Sequence, residues 1–113
     1  MDELVGKLSI GDHPVELTLR PEQSAKALQQ QIGYGHVFVK FMDTRGGTEL
    51  RVPLDQSATD LTRADLANGA GSARFVGELT LNNVKVRCIA DVDLGTYTGT
   101  GRLQPVIDTV TPS

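Results

Sequence analysis

Cysteine, histidine and neighbouring carboxylates are the side chains in this chain that could do chemistry. Cys88 is the only cysteine, and His13 and His36 are the only histidines. A thiol becomes a nucleophile when a base and an electropositive setting hold it as thiolate. Both histidines fall at expected strand ends or turns, and nothing in the spacing brings either to Cys88, so no catalytic residue is assigned. Asp91 and Asp93 alternate along an expected strand and share its polar face. Two carboxylates so placed could bind a hard cation or move protons. Arg74 is the expected cross-strand partner of Asp91, however, and Asp93 adjoins a turn. The sequence has no EF-hand loop, His-Glu-x-x-His helix or cysteine pair, so neither a metal site nor a cofactor is expected. Gly33-Tyr34-Gly35-His36 lacks the following helix that a phosphate loop needs. Thr96, Thr98 and Thr100 alternate on one strand face, where hydroxyls could order water or meet a polar partner. Threonine is equally at home in any solvated strand.

A second candidate is defined by absent side chains. Gly77, Cys88, Ala90, Gly99 and Gly101 fall close together on one face of an expected meander. Small residues on a sheet face make a trough, framed here by Phe75, Leu79, Val86, Val92 and Leu103. Glycine in strands usually serves close approach or curvature, so the first expectation is that a helix fills the trough or that the sheet bends there. The alternative is a ligand pocket with an apolar floor.

The elements that would position these residues are hairpins, each testable by the cross-strand pairs it creates. A two-residue turn at Asn82-Asn83 suits the left-handed backbone of a type I′ turn. It sets Leu79 opposite Val86, Gly77 opposite Cys88 and Phe75 opposite Ala90 on one face. Glu78 then meets Arg87 and Arg74 meets Asp91 on the other, both pairs opposite in sign. A type II′ turn at Gly95-Thr96 continues the meander and places Gly99 beside Val92, Gly101 beside Ala90 and Leu103 beside Cys88. A hairpin over 3–20, turning at Gly11-Asp12, would pair Leu8 with Val15, Leu4 with Leu19, Lys7 with Glu16 and Glu3 with Arg20. Pro14 then marks a sheet edge. A third hairpin over 37–54 has two registers. A Gly46-Gly47 turn pairs Phe41 with Val52 and Val39 with Leu54, and is preferred; a four-residue loop would set Lys40 against Arg51, a like-charge pair.

The remaining segments are less regular. One helix is expected from Pro21 to about residue 32, with Glu22 and Lys26 paired across one turn, Ala25, Leu28 and Ile32 as its apolar stripe, and Gly33 as its stop. Ser57-x-x-Asp60 and Thr62-x-x-Asp65 match capping boxes and predict a short helical turn. Thr59-Asp60-Leu61 and Ala64-Asp65-Leu66 recur at a five-residue spacing, but two units cannot build a solenoid. The fold class is therefore α+β and β-dominated: about seven strands in a curved antiparallel sheet or small open barrel, with one main helix at about 21–32. Residues 1–104 form one domain, and 105–113 are expected to fray.

The chain has 113 residues and a net charge of −3. That length fits one core, and the acidic balance, with no basic cluster, disfavours nucleic acid. No apolar run is long enough to span a bilayer, so no membrane is expected. A lone cysteine allows no internal disulfide, which makes a cytoplasmic protein the default; a mature secreted domain would look the same. Phe38 and Met42 lie on the opposite face from Val39 and Phe41, so that strand is apolar on both sides and its second face needs a cover. Two function classes follow. One is a non-catalytic binding or accessory module acting through self-association as a homo-oligomer, or through a partner protein, with Phe38 and Met42 at the interface. The other is a small barrel, binding or acting on an apolar small molecule near Cys88, Ala90, Gly99 and Gly101.

Overall fold

The computed structural model describes residues 3–19 and 22–106. In chain order these form α1 (Glu3–Leu8), β1 (His13–Leu17), α2 (Ala25–Tyr34), β2 (His36–Phe41), β3 (Thr48–Pro53), β4 (Ala64–Asp65), β5 (Ala70–Leu81), β6 (Val84–Asp93) and β7 (Thr98–Pro105). The seven strands make one antiparallel sheet in the order β3-β2-β1-β7-β6-β5-β4. It curls into a half-barrel. A single core fills the concave side. Val37, Val39, Phe41, Phe75 and Leu103 contribute from the strands, Val5 and Leu8 from α1, and Ala27 and Leu28 from α2.

The β5–β6–β7 meander has the register its alternation demands. Leu79 faces Val86, Gly77 faces Cys88 and Arg74 faces Asp91. Asn82 and Asn83 both have positive φ, 49° and 67°, as a type I′ turn requires. Val92 faces Gly99, Ala90 faces Gly101 and Cys88 faces Leu103. The turn between β6 and β7 differs from the expected type II′. Its left-handed residue is Tyr97 (φ 60°), not Gly95. The Asp93 side chain accepts from the Gly95 N–H (2.7 Å), and the Asp93 carbonyl accepts from the Tyr97 N–H (2.7 Å). A four-residue loop thus replaces the two-residue one without changing the register. β7 runs on to Pro105, and the Val106 N–H donates to the Lys85 carbonyl at 2.9 Å; residues 107–113 lie outside the described region.

The expected first hairpin does not form. Residues 3–8 are a helix, because Val5 and Leu8, one turn apart, both reach the core. The pairs Leu8–Val15, Leu4–Leu19 and Lys7–Glu16 are therefore absent, and Arg20, proposed opposite Glu3, is outside the described residues. Both sides of β1 are taken, by β2 (Val15 facing Phe41) and β7 (His13 facing Gly101). Pro14 thus sits in a central strand rather than at an edge. Its carbonyl accepts from the Met42 N–H (2.9 Å), just past the end of β2. The proline nitrogen points the same way, to where the β1–β2 ladder stops, so its missing donor is tolerated there.

The β2–β3 register differs from both alternatives weighed above. Val39 faces Leu50, Phe41 faces Thr48, and Lys40 faces Glu49. The inward face is unchanged, but β3 slips past both the preferred register and the like-charge alternative, so that Lys40 meets a residue of opposite sign, Glu49. Gly46 and Gly47, φ 76° and 78°, end a longer loop instead of making a two-residue turn.

Helix α2 starts and stops later than its composition predicts. Ser24 is the N-cap and accepts from the Ala27 N–H at 3.2 Å. Gly35, with φ 88°, is the C-cap, so Gly33 lies inside the helix. Glu22 precedes α2, which removes the expected pairing with Lys26; Pro21 is outside the described residues. Between β3 and β5 the expected helical turn is replaced by three aspartate-capped turns. Asp55 accepts from the N–H (3.0 Å) and Oγ (2.7 Å) of Ser57, Asp60 from the N–H (2.9 Å) and Oγ1 (2.7 Å) of Thr62, and Asp65 from the N–H (3.2 Å) and Nδ2 (2.8 Å) of Asn68. The five-residue recurrence is a recurrence of turns.

Candidate functional site

The meander places the five small residues on the concave side. Cys88 and Ala90 are fully buried, and Gly77 and Gly101 are buried with them; Gly99 is half-buried. What faces them is strand material. A Cβ on Gly77 would overlap the Pro53 carbonyl oxygen and lie 2.9 Å from both Pro53 C and Val52 Cγ1. At Gly101 a Cβ would meet Val15 Cγ1 at 2.9 Å, and at Gly99 it would overlap the Asp91 carbonyl oxygen. Helix α2 lies mainly against β2 instead. The end of β3 therefore closes onto β5 at Gly77, where the Asp55 N–H donates to the Val76 carbonyl at 2.7 Å. Burial pushes the Cys88 thiol up to about 12, and the neutral thiol is a poor nucleophile.

A cavity opens on the other side of the same three strands. It measures about 520 Å³, and its lining includes Asp60, Arg63, Arg74, Asp91, Asp93 and Thr100. A smaller neighbour of about 230 Å³ shares Arg74, Asp91 and Thr100 and adds Asp12 and Arg102. Gly99 lines the first and Gly101 the second; Gly77, Cys88 and Ala90 line neither. The sheet supplies Arg74, Asp91, Asp93 and Thr100 from its outward positions. The turn capped by Asp60 adds the wall, because Asp60 and Arg74 exchange backbone hydrogen bonds of 2.8 and 3.0 Å. Within the groove Arg74 grips Asp91 through Nε (2.7 Å) and Nη2 (3.2 Å). The Thr62 hydrogen bonds hold the Asp60 carboxyl below the usual 3.8. The groove thus sets charged and hydroxyl groups beside the apolar lining of Ala73, Val92 and Gly99. Asp91 and Asp93 were visible in the sequence as the polar face of one strand and the threonine row as a face of another; the β6–β7 register joins them, with Asp91 facing Thr100 and Asp93 facing Thr98. Asp60 and Arg63 were not, since only the fold of residues 54–70 brings them there.

Phe38 and Met42 occupy the outward side of β2 and its end. Phe38 is half-buried and Met42 is 45% exposed. The His36 ring stands edge-on to Phe38 at 5.3 Å and is stacked with Tyr34 at 6.4 Å; Tyr34 itself is 75% exposed. Arg51 faces Phe38 across the strand pair, and its Nη2 reaches His36 Nδ1 at 3.5 Å. Tyr34 was not singled out by sequence reasoning, because its place at the end of α2 depends on the shifted helix boundary.

His13, the other histidine, opens β1 with its ring almost enclosed. Its Nδ1 lies 2.7 Å from Asp43 Oδ2, and its Nε2 lies 2.9 Å from the Ile10 carbonyl. Neither histidine joins Cys88 in a hydrogen bond or ring contact among the described residues. No group of three or more His, Cys, Asp or Glu side chains placed to hold a metal ion occurs among the described residues. No helix among them is long and apolar enough to cross a membrane. No protein-family model matches the chain, and no curated protein matches it.

Proposed function

We propose that this domain is a non-catalytic binding module that acts by self-association through the outward face of β2. The observation that carries this reading is the surface row Tyr34–His36–Phe38, continued by Met42 and flanked by Arg51. Aromatic and arginine side chains carry most of the energy at protein interfaces. Here β2 presents His36 and Phe38, the end of α2 presents Tyr34, and Met42 lies just past β2. A partner protein of similar chemistry is the variant of this reading. Phe38→Asp and Tyr34→Ala, each examined by sedimentation over a wide concentration range, test it. Both substitutions should give a smaller species, with a circular-dichroism spectrum like that of the wild type. A wild-type chain that stays monomeric at high concentration would sink self-association.

A second reading rests on the charged groove over β5–β7. Its volume, about 520 Å³, lies within the range of small-molecule sites. The small molecule it suits has both polar and apolar parts, because carboxylates, guanidinium groups and hydroxyls line it beside Ala73, Val92 and Gly99. A ligand-dependent melting screen reports on this reading separately from oligomeric state.

A further inference from the structure

We propose that His13 and Asp43 form a pH-operated clasp that ties the α1–β1 connection to the β2–β3 loop while the imidazole is protonated. The argument starts from the two partners of the ring. Asp43 Oδ2 faces Nδ1 at 2.7 Å, and the Ile10 carbonyl faces Nε2 at 2.9 Å. Both are acceptors. A neutral imidazole has one N–H, so one acceptor would face a lone pair. The imidazolium donates to both, and the carboxylate balances its charge. With a residue exposure of only 8%, His13 has little water available to substitute for either bond.

Burial by the elements packed on the ring opposes the protonated state, and the Asp43 hydrogen bond outweighs it. From α1, Lys7 Nζ donates to the Asp43 carbonyl at 2.8 Å, closing a second tie to the same loop. From β2, Phe41 presents its ring 6.4 Å away at 62°. From β7, the neighbour is Gly101, which brings no charge. Asp43 and Lys7 are therefore the charged groups that face the pair among the described residues, and the Asp43 hydrogen bond raises the His13 pKa above the ordinary 6.5.

Loss of the proton leaves one N–H for two acceptors, so one end of the clasp must open. The segments it joins carry Ile10, 77% exposed, and Met42, 45% exposed. The clasp thus sets how these two apolar side chains are presented together. This rests on the geometry of the pair and not on the proposed self-association.

The test is an NMR titration of the full chain, following the His13 imidazole together with the backbone amides of residues 10–12 and 42–44. His36 gives a separate imidazole signal in the same spectra. The expected result is a His13 midpoint above 6.5, with both groups of amides shifting at that midpoint. Asp43→Asn should lower the midpoint and uncouple the 42–44 amides from it. A wild-type midpoint at or below 6.5, amides that stay still while His13 titrates, or an unchanged midpoint in Asp43→Asn would each overturn the clasp.

Discussion

Gly77→Ala tests the closure of the half-barrel. The added methyl would overlap the Pro53 carbonyl oxygen and crowd Pro53 C and Val52 Cγ1, each at 2.9 Å. The first obstacle is backbone, so no side-chain rotation relieves it. Either the methyl is accommodated under strain, at about 1–3 kcal/mol, or β3 moves off β5. Moving away breaks the Asp55 N–H to Val76 carbonyl bond (2.7 Å) and the Thr59 Oγ1 bonds to Val76 (3.2 Å each), at roughly 1 kcal/mol apiece. Either route gives a loss of about 1–3 kcal/mol, which for a domain of this size moves a urea midpoint down by roughly 0.5–2 M. Gly6→Ala is the control. It lies within α1 with no atom within 4 Å of its Cβ, and should stabilise by about 0.5–1 kcal/mol. Equilibrium urea unfolding of the three proteins measures both. A Gly77→Ala protein within about 0.5 kcal/mol of wild type would refute the argument, because it would mean that β3 and β5 are not in contact.

Three further outcomes are expected. Asn83→Val should cost about 1–2 kcal/mol in thermal or urea unfolding, because a β-branched residue must take the left-handed conformation at φ 67°, whereas Asn83→Gly should be neutral or stabilising. Ala90→Leu should lose about 1–3 kcal/mol by overpacking, and a thiol reagent should label Cys88 only on unfolding, since the thiol is fully buried; rapid native labelling blocked by a small apolar compound would point to an open pocket instead. The stability that wild type has over Asp43→Asn should depend on pH at both ends. His13 is raised above 6.5, so its contribution is complete below that value and is lost as pH rises through the folded pKa. Asp43 is lowered below 3.8, so its contribution is present above that value and is lost as pH falls through the folded pKa. Thermal melts from acid to mild base should therefore show the advantage largest between the two and shrinking outside them.

How much was legible before the fold was known follows the range of the contacts. The β5–β6–β7 meander could be read in full register, since adjacent strands must satisfy Leu79–Val86, Glu78–Arg87 and Arg74–Asp91 at once, and one alignment does so. The inward face of β2 was legible for the same reason. Its register with β3 was not, because the loop holding Gly46 and Gly47 permits slips of two residues that keep every side chain on its face.

Amphipathic alternation and turn chemistry suffice for local pairing, where the turn itself sets the register and a wrong alignment is penalised at every pair. They do not suffice at the N-terminus. Leu4 and Leu8 share a face in a strand paired with β1 as readily as in a helix, and the choice depends on β7, at the far end of the chain, occupying the side of β1 that a hairpin would need. The same holds for the sites. Asp91 and Asp93 share a face by strand periodicity alone. The wall that Asp60 and Arg63 build over them, the close approach of Pro53 to Gly77, and the meeting of His13 with Asp43 all join segments distant in sequence. Such contacts form only when the curled sheet brings its strand ends together, and no local pattern of residues encodes their geometry.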